Sequence, residues 1–332
     1  MKKTLLVSNP EIEKEKFDLA IQYLKDGGVV VFPTETVYGL GANAFDEKAV
    51  RKVFEIKGRP PDNPLIVHLY SIDMIEDVAR ELSPTARLLF ERFSPGPLTV
   101  ILPKSRNISG IVTGGLDTVA VRIPSHKIAR EILGAFKLPI AAPSANISGR
   151  PSPTTFEMAV SEMNGRVDAI INGGDCIVGL ESTVVKIEGE ELQILRPGGI
   201  SEEEIKKVLP EGFKVISATG IKSKRAESPG MKYTHYKPEA DVILCEKEKI
   251  EKAISNFKGR RLGLILYRAE INPEGSEVIR FDSLEAYARG LYKSFYEMDK
   301  KGVEIIIAEK VEEKGIGKAI MNRLLKAGGE KR

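Results

Sequence analysis

Short apolar runs rich in β-branched residues recur along the chain and are separated by stretches of helical periodicity, an alternation that restricts the fold to a layered α/β architecture. The strand-like runs are VVVFP (29–33), LIVHLY (65–70), LTVIL (98–102), TVAVRIP (118–124), PIAAP (139–143), DAIING (168–173) and STVVKI (182–187). Helical patterns lie between them at Ala49–Lys57, Thr85–Phe93, Lys127–Phe136 and Thr155–Met163. A further helix carries Phe17, Ala20, Ile21 and Leu24 on one face and stops at Gly27-Gly28. This mixture predicts one large open sheet covered by helices.

The rhythm breaks at residues 217–239, SATGIKSKRAESPGMKYTHYKPE, which are rich in Gly, Pro, Ser and basic residues without apolar periodicity. It resumes with DVILCE, KIEKAISNF, RLGLILY, EVIRF, a helix over Leu284–Lys300, VEIIIAEKV and a last helix through Ala319 to Lys326. The expected layout is a larger α/β domain over 1–212, a linker over 213–239 and a smaller Rossmann-like α/β/α domain over 240–332. With 332 residues, 42% of them hydrophobic, the chain can fill two cores.

Lys and Arg number 50 against 47 Asp and Glu, so net charge supports neither a general nucleic-acid binder nor a membrane-surface protein. An anion site must come from local clustering. Cys176 and Cys245 are far apart, which argues against a disulfide framework or a structural zinc site. The apolar patch in MKKTLLVSNPEIEKEKF is too short for a signal-peptide core, and no run reaches the length of a spanning helix. The expectation is a soluble protein of a reducing compartment, the cytoplasm, without membrane contact.

Polar clusters sit where strands end, the usual place for ligands in open α/β sheets. PTETVYGLGANA (33–44) sets Thr34, Glu35, Thr36 and Tyr38 among glycines, and reads equally as a strand-to-helix loop with capping hydroxyls. KGRPPDNPLIVHL (57–69) brings Lys57, Arg59, Asn63 and His68 around a proline-stiffened turn, and two cations two residues apart can hold phosphate oxygens. Arg122 lies within an apolar strand, where it requires an anionic partner, either a bound carboxylate or phosphate or an internal acid. SANISGRPSPT (144–154) supplies Ser144, Asn146, Ser148, Arg150 and Ser152, while Ser182, Thr183 and Arg196 add hydroxyls and another cation. Residues 240–332 contain no such grouping.

Taken in order, PTETVYGLG, KGRP with a downstream PL and His, TVAVRIP, APSANISG, ESTVV and LRPG resemble the YrdC family. With the linker motif SPGMKYTHYKP and the extra α/β domain, the chain is similar to the two-domain members of the threonylcarbamoyl-AMP synthase family. That resemblance implies an open twisted sheet with a basic concave cleft. It implies that L-threonine, bicarbonate or carbon dioxide and ATP are joined into L-threonylcarbamoyl-AMP and pyrophosphate, for the threonylcarbamoyladenosine at position 37 of tRNA.

Residue by residue, the resemblance places the catalytic set on Lys57, Arg59, Ser144 and Asn146. L-threonine contacts fall on Thr36, His68, Arg122, Ala142 and Ser182. ATP contacts fall on Arg59, Asn63, Thr118, Ser144, Ser152, Arg196 and the linker tyrosines Tyr233 and Tyr236. Asp62 stands where some members carry Ser or Thr and is left out of the site. The resemblance also implies Mg2+ carried with ATP, a downstream tRNA threonylcarbamoyl-transferase complex as partner, and a weak tRNA or RNA contact. The linker is expected to fold over the nucleotide as a roof.

Other classes fit less well. KGIGKA (314–319) lacks the third small residue of a dinucleotide fingerprint, and no GxxxxGK[ST] loop occurs. A double-stranded-RNA-binding module without catalysis is the alternative outside enzymes, and the aromatic motifs of common RNA-reading folds are missing.

Overall fold

The computed structural model describes residues 3–217 and 236–329. The first domain contains β1 (Leu5–Val7), α1 (Lys14–Lys25), β2 (Val30–Phe32), β3 (Gly39–Asn43), α2 (Glu47–Lys57), β4 (Ile66–His68), α3 (Ile75–Val78), α4 (Pro84–Phe93) and β5 (Leu98–Pro103). It continues with α5 (Gly110–Thr113), β6 (Thr118–Arg122), α6 (Lys127–Phe136), β7 (Ile140–Ala142), α7 (Phe156–Met163), β8 (Ala169–Ile171), β9 (Thr183–Glu188), β10 (Glu191–Arg196), α8 (Glu202–Lys206) and β11 (Lys214–Ser217). Its strands form one eleven-stranded mixed sheet in the order β1-β8-β2-β3-β7-β4-β6-β5-β9-β10-β11.

Side-chain alternation along the strands sorts this sheet into two faces. Val31, Val67, Val100, Val121 and Ala141 join α2, α4 and α7 in the main core. Val30, Phe32, Ile140 and Ala142 turn the other way, where β2 and β7 meet α1 and α6. On the neighbouring strands the second face is only thinly covered, by Ile66, Ile101, Ala120 and Val184. Moving two residues along β4 and β6 from Ile66 and Ala120 reaches His68 and Arg122, which stand side by side in register.

The second domain consists of β12 (Asp241–Cys245), α9 (Ile250–Asn256), β13 (Leu262–Leu266), β14 (Glu277–Arg280), α10 (Leu284–Lys300), β15 (Ile305–Glu309) and α11 (Gly317–Ala327). Its strands pair in parallel in the order β12-β15-β13-β14. Tyr287, Leu291, Tyr292 and Phe295 of α10 and Ile320 and Leu324 of α11 bury one apolar core. No helix among the described residues is long and apolar enough to cross a membrane.

Two boundaries differ from the sequence expectation. Lys214–Ser217, expected within the linker, pairs in parallel with β10 as the edge strand of the first sheet. Gly39–Asn43, expected as loop, is a central strand bonded antiparallel to β2 and β7. Its glycines read as turn residues, but the space is what selects them: a Cβ on Gly41 would lie 2.6 Å from Phe32 Cε1 and 2.7 Å from Ile140 Cγ2.

Candidate active site

The polar ends of these elements converge on one cavity of roughly 610 Å³ including its mouth. Lys57 reaches it from the last turn of α2, which Gly58 terminates in the left-handed conformation (φ 61°). The Lys57 Nζ donates to the carbonyls of Ser144 and Asn146, both at 2.7 Å, and to Asn146 Oδ1 at 3.0 Å. Burial and the nearby Arg59 charge pull its pKa well below the usual lysine range. Three close acceptors nonetheless use three N–H bonds, the number an ammonium carries. Lys57 therefore fastens the Ser144–Asn146 loop, whose Ser144 hydroxyl also donates to Asn146 Oδ1 at 2.6 Å.

Arg59 follows the helix stop and is turned inward, with Nε donating to the Asn63 carbonyl (3.2 Å) and Nη2 to that of Pro64 (3.1 Å). His68 lines the cavity from β4, edge-on to Phe32, with Nδ1 3.2 Å from the Ile66 carbonyl. Burial, reinforced by the Arg122 charge, lowers its pKa to about 3, so its ring is neutral at physiological pH. Arg122 donates from Nη2 to Glu35 Oε1 (2.6 Å) and from Nη1 to the Thr36 hydroxyl (2.8 Å). Of the two anionic partners the sequence left open for Arg122, the structure supplies the internal acid.

Arg196 closes the opposite wall, with Nε donating to the Ser182 carbonyl and Nη2 to the Ser182 hydroxyl, both at 3.1 Å. Ser182 also shares a hydrogen bond with the Thr99 hydroxyl (2.7 Å). Tyr236, the linker residue at which the description resumes, lines the cavity and lies against Tyr292 with ring centroids 5.4 Å apart.

Thus Thr36, Lys57, Arg59, His68, Arg122, Ala142, Ser144, Asn146, Ser182, Arg196 and Tyr236 face one space. Thr118 does not line it. It shares a strand face with Arg122 but stands four residues away, about 13 Å along a strand. Ser152 is also off the wall, donating to Glu181 Oε1 at 2.7 Å. Asn63 is buried behind Arg59, and neither atom of its amide has a hydrogen-bond partner among the described residues. Tyr233 and most of the expected roof, including Pro229-Gly230-Met231 and His235, lie outside the described residues.

Glu181 is the lining residue that sequence reasoning missed. Burial pushes its carboxyl upward, but Arg323 and Arg196 overcome this and hold its pKa at about 2. Its neighbours Ser182 and Thr183 were noticed for their hydroxyls, whereas its partners Tyr292 and Arg323 lie more than a hundred residues away and leave no local signal. The cavity is therefore cationic, through Lys57, Arg59, Arg122 and Arg196, but contains one fixed carboxylate. Among the described residues no three His, Cys, Asp or Glu side chains gather as a metal site.

Known proteins resemble this chain over its whole length. The Sua5, YciO and YrdC family model, described as telomere recombination, matches residues 22–198, and a model described as the threonylcarbamoyl-AMP synthase C-terminal domain matches residues 200–329. A threonylcarbamoyl-AMP synthase of Pyrococcus abyssi is 46% identical, covering 98% of both chains. One of Bacillus subtilis is 42% identical over 98% of this chain and 95% of its own. The crystal structure of P. abyssi Sua5 complexed with L-threonine superimposes with a TM-score of 0.91 at 46% identity, covering 98% of this chain and 97% of that one.

Proposed function

Because the chain belongs to the Sua5, YciO and YrdC family, in the two-domain form of threonylcarbamoyl-AMP synthases, we propose that its cavity performs that synthesis with the residue roles below. The enzyme joins L-threonine, bicarbonate or carbon dioxide and ATP into L-threonylcarbamoyl-AMP and pyrophosphate. The observation that carries the reading is the convergence of four cationic side chains, with hydroxyls and an amide between them, on one cavity. Such a site suits a reaction that must hold an amino-acid carboxylate, a carbamate and a triphosphate together.

The threonine amine captures carbon dioxide as a carbamate, and a carbamate oxygen attacks the α-phosphorus while the bond to pyrophosphate breaks. L-threonine lies along Thr36, His68, Arg122, Ala142 and Ser182. The neutral His68 ring and the Ser182 hydroxyl are the groups for its side-chain hydroxyl. Arg122 meets its carboxylate while remaining tied to Glu35. ATP lies along Arg59, Ser144, Arg196 and Tyr236, with Asn63 behind Arg59 and Ser152 behind Glu181, while Lys57 and Arg59 stabilise phosphate charge and Asn146 fixes the loop. Catalysis then rests on positioning and electrostatics. Mg2+ arrives with ATP as part of the substrate, since among the described residues the carboxylate on the wall, Glu181, is already paired.

The product is a labile mixed anhydride, which suits direct transfer to a tRNA threonylcarbamoyl-transferase complex, with at most a weak contact to tRNA here. Two free, buried cysteines fit a reducing compartment such as the cytoplasm. The test is mass spectrometry of the products formed from ATP, L-threonine and 13C-bicarbonate. The label should appear in threonylcarbamoyl-AMP, whereas RNA binding without ATP consumption would support the non-catalytic alternative.

A further inference from the structure

The C-terminal domain reaches the cavity wall through two buried side chains, Arg323 and Tyr292. Arg323, on α11, is fully buried. Its Nε donates to Glu181 Oε2 at 2.8 Å and its Nη1 to the Pro197 carbonyl at 2.7 Å. Glu181 immediately precedes Ser182 and Pro197 immediately follows Arg196. One guanidinium from the second domain thus grips both segments that carry this wall.

The junction has little slack. Tyr292, on α10, donates its hydroxyl toward the same carboxylate, 3.0 and 3.2 Å from its two oxygens. Gly198 packs so tightly that a Cβ there would lie 2.3 Å from both the Glu181 carbonyl oxygen and the Thr183 nitrogen. A buried ion pair is a weak device for stability, because well-packed apolar residues hold an interface as firmly. Here the pair sits where the domain interface meets a cavity meant for anions. A carboxylate at that wall is tolerable beside phosphate only if a fixed cation neutralises it.

We propose that Arg323, seconded by Tyr292, is a positioning residue for the synthase site: by clamping Glu181 and Pro197 it sets the spacing of Ser182 and Arg196. The C-terminal domain is then a structural part of the nucleotide side of the cavity. The inference rests on the reading of that cavity as the synthase site.

The charged and titratable groups around Glu181 are Arg323, Tyr292, Arg196 and Tyr236, with Lys57 across the cavity. Removing Arg323 leaves Arg196 as the main cation beside the carboxylate, whose pKa then rises. ATP binding should acquire a pH dependence that a purely structural loss would not produce.

The experiment compares full-length wild type with Arg323→Lys, Tyr292→Phe, Arg323→Met and Arg323→Met/Glu181→Gln, using pyrophosphate release at several pH values and thermal melting. Arg323→Lys keeps the charge but not the two-pronged grip, so KM for ATP should rise about tenfold with a smaller change in kcat. Tyr292→Phe should raise it about two- to threefold. In Arg323→Met, KM for ATP should acquire a pH dependence that the wild type lacks, and Glu181→Gln in that background should abolish it. Should Arg323→Met fail to fold, the two conservative variants decide the matter. Folded conservative variants with wild-type KM for ATP overturn the positioning role alone, while a wild type that releases no pyrophosphate with threonine and bicarbonate overturns the synthase reading and this inference with it.

Discussion

Arg122 and Glu35 form a buried ion pair, Nη2 to Oε1 at 2.6 Å, in which both side chains are almost wholly removed from solvent. Ser125 adds its backbone N–H to the other Glu35 oxygen at 3.1 Å. The pair thus anchors the β2–β3 connection to the end of β6 and turns Arg122 toward the cavity. Truncating one partner strands the other charge. Arg122→Met should cost about 3–5 kcal/mol in chemical denaturation. Adding Glu35→Gln should recover part of that stability without restoring threonine binding by calorimetry.

His68 links stability to pH. Its folded pKa of about 3 lies below the ordinary 6.5, so as pH falls the unfolded chain takes up the proton first. Its contribution is complete above pH 6.5 and is lost as pH falls toward 3, by up to about 1.4 kcal/mol per pH unit. Urea denaturation between pH 7 and pH 4.5 should fall less steeply for His68→Gln than for wild type.

Asn63 separates a structural role from a ligand role. A buried amide without partners costs about 1–3 kcal/mol, so folding alone gives no reason to keep it. Asn63→Ala should therefore change stability by less than about 1 kcal/mol while raising KM for ATP several-fold. A large loss of stability with unchanged KM would reassign Asn63 to packing.

Gly41 tests why β3 exists. With Phe32 and Ile140 already within 3 Å of the place a Cβ would take, Gly41→Ala should lower stability by about 1–3 kcal/mol, read as a shift of the urea midpoint.

These residues also mark what was legible in the sequence. α6 and α10 were read with their observed bounds, because strong apolar periodicity and N-cap hydrogen bonds, from His126 and Ser283, define them locally. β3 was not legible, because its glycines imply a turn unless the neighbouring strands and Phe32 are known. The cationic cluster was legible once its motifs were taken together, although each was ambiguous alone. Glu181 and Arg323 were not, being 142 residues apart and joined by a domain contact that no local pattern encodes.

Pyrophosphate release by the full chain, measured with ATP alone, with threonine and bicarbonate added, and in Lys57→Ala and Arg59→Ala, bears most directly on the central claim. Release should require threonine and bicarbonate together and should fall by at least about a hundredfold in either variant. Release from ATP alone, or an undiminished rate in folded Lys57→Ala and Arg59→Ala, would contradict the assignment of this cavity as the synthase site.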